Sequence, residues 1–219
     1  FNPSSIDRLT HVWLGAFLAG AFLVLSVHAY YLLRNRHVEV SKQAFKIALV
    51  VAAVFSLGQL FTGHHSAEGV AENQPAKLAA LEGHFDSLAV ADMYLMGWVD
   101  KNTQEVTGIG IPGGPTFLLN YDFETPVRGL NSFPEDERPT ALNAIFQFYH
   151  FMVAFGMAMI GLSLLGLYFW WKGTLFEQRW MLWIFVFAVL MPNLANQFSW
   201  FAAEMGRQPW VVYGLLRTS

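Results

Sequence analysis

A few side chains set in apolar sequence carry the chemistry open to this chain. His11 begins an apolar run that also holds Gly15 and Gly20, small residues that let a flat macrocycle approach the backbone. Its imidazole is a candidate axial ligand for haem iron, set against the commoner alternative of a hydrogen-bonded buried histidine. Met152 lies about twelve residues, roughly 18 Å, into another apolar helix. A thioether can pair with histidine in a low-spin haem, but methionine is also an ordinary gap-filler, and Met157 and Met159 follow on the same run. His150 competes with Met152. Two residues apart, they point about 200° away from each other around a helix, so only one can face a given haem. Glu204 ends a further apolar run beside Trp200, with Arg207 three residues on. On a helix the two charges share a face. They form either a local salt bridge, or a ligand or proton acceptor next to a guanidinium suited to an anionic group such as a propionate. The remaining histidines read as structural or solvated: His28 in an interfacial belt with Tyr30 and Tyr31, His37 and His84 in polar links, and His64-His65 as a solvated cap or a metal-binding pair.

The elements that position these residues follow from composition. Of 219 residues 54% are hydrophobic and 13% charged, against about 25% charged in an average soluble domain. A mean hydropathy of +0.36 and 20 Phe with 8 Trp point to a membrane. Disorder and collagen-like repeats are excluded, and a net charge of −3 leaves no basic surplus for nucleic acid. With no cysteine, disulfides, thiolate metal sites, iron–sulfur clusters and covalent haem attachment are excluded, so a metal must be held by His, Met or carboxylate. Residue 1 is Phe and no leader-like segment precedes the first apolar run, so a processed N-terminus or a fragment is expected.

Runs without Asp, Glu, Lys or Arg cover Leu9–Leu33, Ile47–Ala67, Pro139–Trp171 and Trp180–Ala203, each at or above the roughly 18–20 residues of a spanning helix. The fold class is therefore all-α, a polytopic transmembrane helix bundle with four spanning helices and a long outer loop between the second and third. The segments are 1–63 (helices one and two), 64–139 (the loop) and 140–219 (helices three and four with an outer C-terminal segment). Ser4 and Ser5 after Pro3, Ser41, and Thr140 after Pro139 stand near the expected helix starts, and Pro192 should kink the fourth helix. Arg34, Arg36, Lys42 and Lys46 crowd one short link, and Lys172 and Arg179 another. By the positive-inside rule both are cytoplasmic. Twelve of the sixteen acidic residues fall between His64 and Arg138, which places the loop and both termini outside. Ile111-Pro112-Gly113-Gly114-Pro115 reads as turns, and Phe117-Leu118-Leu119 favours partial order.

Three separated motifs resemble subunit I of the cytochrome bd-type quinol oxidases. The most specific is Trp200-Phe201-Ala202-Ala203-Glu204-Met205-Gly206-Arg207-Gln208-Pro209-Trp210, which contains GRQPW. The second is Lys77-Leu78-Ala79-Ala80-Leu81-Glu82, similar to the KLAAxE segment of the family's quinol-binding Q-loop. The third pairs His11, after the Phe1-Asn2-Pro3 opening, with Met152 in Phe151-Met152-Val153-Ala154. The resemblance implies that His11 and Met152 are the axial ligands of a low-spin haem b. It implies that Glu204 ligates a high-spin haem b, with Trp200 and Arg207 around it, and that Lys77 and Glu82 form a quinol site. Quinol would be oxidised in the outer loop and electrons passed through haem b towards reduction of oxygen to water. The alternative is a non-oxidase haem b and quinone subunit of another respiratory complex; a transporter or assembly subunit is a third possibility.

Departures accompany the match. His150 stands where the family commonly has Arg, His64 where an acidic residue is frequent, and the Q-loop is of the short kind. The resemblance covers the fifth to eighth of nine helices, so the ligand of haem d and the acidic proton path are not in this chain, which alone should not reduce oxygen. The implied partners are quinol, the lipid bilayer, the rest of subunit I, and a second oxidase subunit or other respiratory-complex subunits, in a prokaryotic cytoplasmic membrane.

Overall fold

The computed structural model describes residues 4–218, and the Phe1-Asn2-Pro3 opening lies outside the described residues. Four helical segments are long and apolar enough to cross a membrane: Ser5–Leu33 (α1), Val38–Asn73 (α2), Leu142–Trp171 (α5), and Arg179–Gly206. The last consists of α6 (Arg179–Ala188) and α7 (Leu190–Gly206). The protein is a multi-pass membrane protein of all-α class with a long loop between its second and third spans, as its sequence predicts. The loop adds a short helix α3 (Pro75–Glu82), an antiparallel hairpin of β1 (Met93–Asp100) and β2 (Glu105–Ile111), and the helix α4 (Gly114–Asn120). A second small hairpin, β3 (Trp210–Val212) with β4 (Leu216–Arg217), follows α7.

Three local expectations are corrected. Helix α2 starts at Val38, so Ser41 is no cap; it is buried inside the helix against His28, with Nδ1 3.2 Å from Oγ. The same helix does not end at His64-His65 but runs on to Asn73, for 36 residues or about 54 Å. The disturbance expected at Pro192 appears as an interruption at Val189. Pro192 has no N–H for the carbonyl of Ala188 and its ring crowds that carbonyl. The Asn193 side chain donates to the neighbouring Val189 carbonyl at 2.8 Å. The Pro-Gly stretch does turn, with Gly113 at φ 73 capping the start of α4.

The described chain divides into two compact units. The helix unit comprises residues 8–63 and 153–196. Its core is Leu18, Phe22 and Leu25 of α1, Phe45 and Leu49 of α2, Met159 and Leu162 of α5, and Met181 and Phe185 of α6. Phe45 meets Phe185 edge-on with centroids 5.0 Å apart, a favoured geometry for aromatic quadrupoles. Gly166 lets α5 come close to α2, since a Cβ there would lie 2.8 Å from Leu49 Cδ1. Small residues serve this purpose in membranes, where lipid tails remove most of the hydrophobic drive between helices.

The loop unit comprises residues 4–7, 64–152 and 197–218. Its core joins Ala79 and Ala80 of α3, Phe85, Val99 of β1, Leu130, Ile145 and Phe146 of α5, and Ala202 of α7. One face of α5 is stitched to the backbone of β1. Asn143 Oδ1 accepts from Val99 N–H at 3.0 Å, and Gln147 Nε2 donates to the Gly97 carbonyl at 2.6 Å. His150 Nε2 lies 2.7 Å from the Tyr94 carbonyl. Spaced i, i+4 and i+7, these three side chains lie along one helical stripe and cover a strand edge that would otherwise be unpaired.

Candidate functional site

The sharpest arrangement in the loop unit surrounds α3. Pro75 starts this helix, Gly83 ends it in the left-handed conformation at φ 76, and every residue from Ala76 to Glu82 is buried. Lys77 and Glu82 are each 7% exposed. Burying charge is costly unless it is compensated. The Tyr149 hydroxyl faces the Glu82 carboxylate, while Glu82 Oε2 is buried without a hydrogen-bond partner. The Lys77 stem packs on Gly206, where a Cβ would lie 3.2 Å from Lys77 Cγ. The KLAAxE-like helix and the GRQPW-like segment thus meet, as two motifs more than a hundred residues apart in sequence gave no means of foreseeing.

Beside this contact lies a tight recess with no room for a water-sized group, lined by Gln74, Lys77, Glu137, Arg207, Trp210 and Tyr213 among others. Gln74 Oε1 and Trp210 Nε1 are both buried without hydrogen-bond partners. Burial pushes the Tyr213 hydroxyl above its ordinary pKa, with the Glu137 charge adding to the effect.

Glu204 and Arg207 form the ion pair their spacing predicts. Arg207 Nε and Nη2 both contact Glu204 Oε2, at 2.9 and 2.7 Å. Both contacts fall on one oxygen, so Oε1 remains the oxygen that iron or a proton could use. Arg207 also donates through Nη1 to the Trp210 and Val211 carbonyls at 3.3 Å, and so holds the turn after α7. Trp200 is largely exposed and tilted against Phe201.

Met152 is half-buried on α5 in the loop unit. Its competitor His150 is engaged elsewhere: Nε2 lies 2.7 Å from the Tyr94 carbonyl, Nδ1 2.8 Å from the Phe146 carbonyl, and the ring stacks on Phe146 at 3.9 Å between centroids.

His11 belongs to the helix unit. Its Nδ1 lies 3.0 Å from Thr62 Oγ1 and its Nε2 2.8 Å from Gln59 Nε2. A Cβ at Gly63 would meet the ring at 3.4 Å, so the imidazole rests on the α2 backbone. This donor set suits haem. The porphyrin supplies four of the iron's ligands and asks the protein for one or two, and a histidine whose other nitrogen is anchored is the usual kind. Thr62 and Gln59 went unmarked in the sequence. Two polar residues three apart in an apolar run were the available signal.

Two loop histidines differ from expectation. His84 is buried, 6% exposed, with Nε2 2.9 Å from the Asp92 carbonyl. His64 and His65 join Glu68, Asp7 and Tyr121 in a surface network. His65 turns Nδ1 to Glu68 at 3.2 Å and Nε2 to Asp7 at 3.4 Å, so its donors diverge. Among the described residues no group of three or more His, Asp or Glu side chains is arranged to hold a metal ion.

Comparison with known proteins adds a lineage. The family model for cytochrome bd terminal oxidase subunit I matches residues 1–219. The chain is 40% identical over 227 residues to a Bacillus subtilis (strain 168) protein named as a cytochrome bd menaquinol oxidase subunit I, covering all of this chain and 50% of that one. It is 32% identical over 228 residues to the same organism's cytochrome bd ubiquinol oxidase subunit 1, covering 49% of it. The solved bd oxidase from Geobacillus thermodenitrificans superposes with a TM-score of 0.88 at 29% identity, over 99% of this chain and 50% of that one. The chain thus spans about half the length of the curated relatives it matches.

Proposed function

The chain belongs to the cytochrome bd terminal oxidase subunit I family, and from that premise we propose that it is the haem-binding, quinol-oxidising portion of a quinol oxidase in a prokaryotic cytoplasmic membrane. The observation that carries this reading is the burial of Lys77 and Glu82, 7% exposed each, on a helix of eight residues, with Glu82 Oε2 unpartnered. A carboxylate oxygen buried without a partner is costly, so Glu82 Oε2 calls for a ligand that donates to it. A quinol supplies one: Lys77 hydrogen-bonds a ring oxygen and Glu82 accepts the proton that each departing electron releases.

Haem b, when bound, supplies one-electron acceptance. His11 and Met152 are the proposed ligands at the low-spin haem. Glu204 is the proposed ligand at the high-spin haem, with Trp200 beside it and Arg207 holding the carboxylate by its other oxygen. The charge distribution supports an outer face for the loop and both termini, so the protons are released outside. The rest of subunit I and a second oxidase subunit are the proposed partners that complete oxygen reduction.

Quinol kinetics and optical spectra of the intact complex test this. Lys77→Ala should depress quinol oxidation while leaving the haem b bands in place; wild-type kinetics would remove the quinol site from α3. Haem b bands with neither a haem d band nor oxygen uptake would favour a non-oxidase electron-transfer subunit.

A further inference from the structure

Within the helix unit, the residues around His11 decide which of its nitrogens is free. Thr62 has one hydroxyl hydrogen, and its Oγ1 lies within donating distance of the Gly58 carbonyl at 3.2 Å and of the Gln59 carbonyl at 3.4 Å. This is the back-bond to the preceding turn that helical threonines commonly make. With its hydrogen so placed, Oγ1 accepts from His11 Nδ1–H at 3.0 Å. Nδ1 is then the protonated nitrogen and Nε2 carries the lone pair. Gln59 Nε2 donates to that lone pair at 2.8 Å, while its own Oε1 is buried without a partner.

We propose that Thr62 is a positioning residue for the haem ligand His11, fixing the tautomer that presents Nε2. The proposal rests on the ligand role of His11 given above. Gly58, Gln59, Thr62 and Gly63 form one face of α2, with Gly63 bringing the backbone to the imidazole ring and Thr62 reaching its Nδ1 side. A hydrogen bond accepted from the far nitrogen of a metal-bound histidine raises the basicity of the ligand, which favours ferric over ferrous iron and lowers the midpoint potential.

The test uses the intact oxidase in membranes, with Thr62→Val, which keeps the shape and removes the hydroxyl, and Thr62→Ser, which keeps the hydroxyl. Thr62→Val should raise the low-spin haem's midpoint potential and hasten haem transfer to apomyoglobin by roughly tenfold or more, the usual scale for losing such a partner. Thr62→Ser should restore both. Unchanged potential and retention in Thr62→Val would overturn the proposal, as would equal losses in Val and Ser, which would mean that the methyl group packs and the hydroxyl does nothing. If the valine variant fails to accumulate, the contrast of Thr62→Ala with Thr62→Ser reads the same difference. His11→Ala separates the two levels. A low-spin haem that survives it refutes the ligand role and this proposal together; its loss, beside a wild-type Thr62→Val, refutes the proposal alone.

Discussion

The helix unit and the loop unit handle polar groups in opposite ways. In the helix unit, polar side chains inside the spans meet one another or a carbonyl as neutral partners: His11 with Gln59 and Thr62, His28 with Ser41, Ser26 with the Val186 carbonyl at 2.6 Å. In the loop unit, formal charges themselves are buried, Lys77 and Glu82 foremost. Hydrocarbon offers no solvent to compensate an unmatched charge, so a spanning region suits holding a cofactor in place. A folded loop beside water can keep a cation and a carboxylate poised for proton transfer.

The strongest way to break this contrast is to disable each unit in turn. His11→Ala in the helix unit should remove the low-spin haem signal. Glu82→Gln in the loop unit should leave that signal intact and lower quinol turnover by about a hundredfold or more, the scale of a lost general base. Spectra and kinetics on the same membranes check both. If Glu82→Gln also removes haem, the functions are not separable by unit.

Packing offers a smaller test. Gly83→Ala in the loop unit forces a Cβ onto a residue at φ 76 and to 2.8 Å from Val106 Cγ2, with a combined cost of about 2–4 kcal/mol. Gly166→Ala in the helix unit keeps a helical backbone but meets Leu49 Cδ1 at 2.8 Å and Phe185 Cζ at 3.2 Å, with a cost of about 1–2 kcal/mol. Thermal melts in detergent should rank them in that order; the reverse order would show that the spans are the less forgiving region.

Acid gives the smallest and most graded difference. The hydrogen bond from Arg217 at 2.7 Å holds the Asp136 carboxyl below its ordinary pKa, and bonds from Thr125 do the same for Asp122. A group whose pKa is lower folded than unfolded stabilises fully above the unfolded value, about 3.9 for Asp, and loses that contribution as pH falls through the folded value. The helix unit carries only Glu39 and Glu177 as acids. Hydrogen exchange should therefore loosen in the loop unit below about pH 4 while the helix unit holds. Equal loosening of both would contradict the assignment.

The same contrast governs what could be read from sequence. The four spans were legible because an apolar run is a local property; even the Glu204–Arg207 pair follows from spacing on one helix. Helix α2 outran its apolar stretch because Glu68 and Glu72 end a charge-free search without ending a helix. Burial of His84 and the commitment of His150 were not legible. One depends on the fold of a loop whose composition is polar, the other on Tyr94, 56 residues away. Lys77 and Glu82 were found through motif resemblance, and their burial, which gives the resemblance its physical content, depends on packing that no local pattern encodes.

The stitching of α5 to β1 through Asn143, Gln147 and His150 carries a lesson for building chimeras. The first three turns of this membrane helix are, in hydrogen-bonding terms, part of the hairpin. A donor loop grafted between the ends of α2 and α5 would arrive without those three partners and leave the Tyr94, Gly97 and Val99 positions of its strand bare. The natural seam for exchange between relatives lies within α5, after residue 152, so the inherited module is a loop together with the third of a helix that closes it.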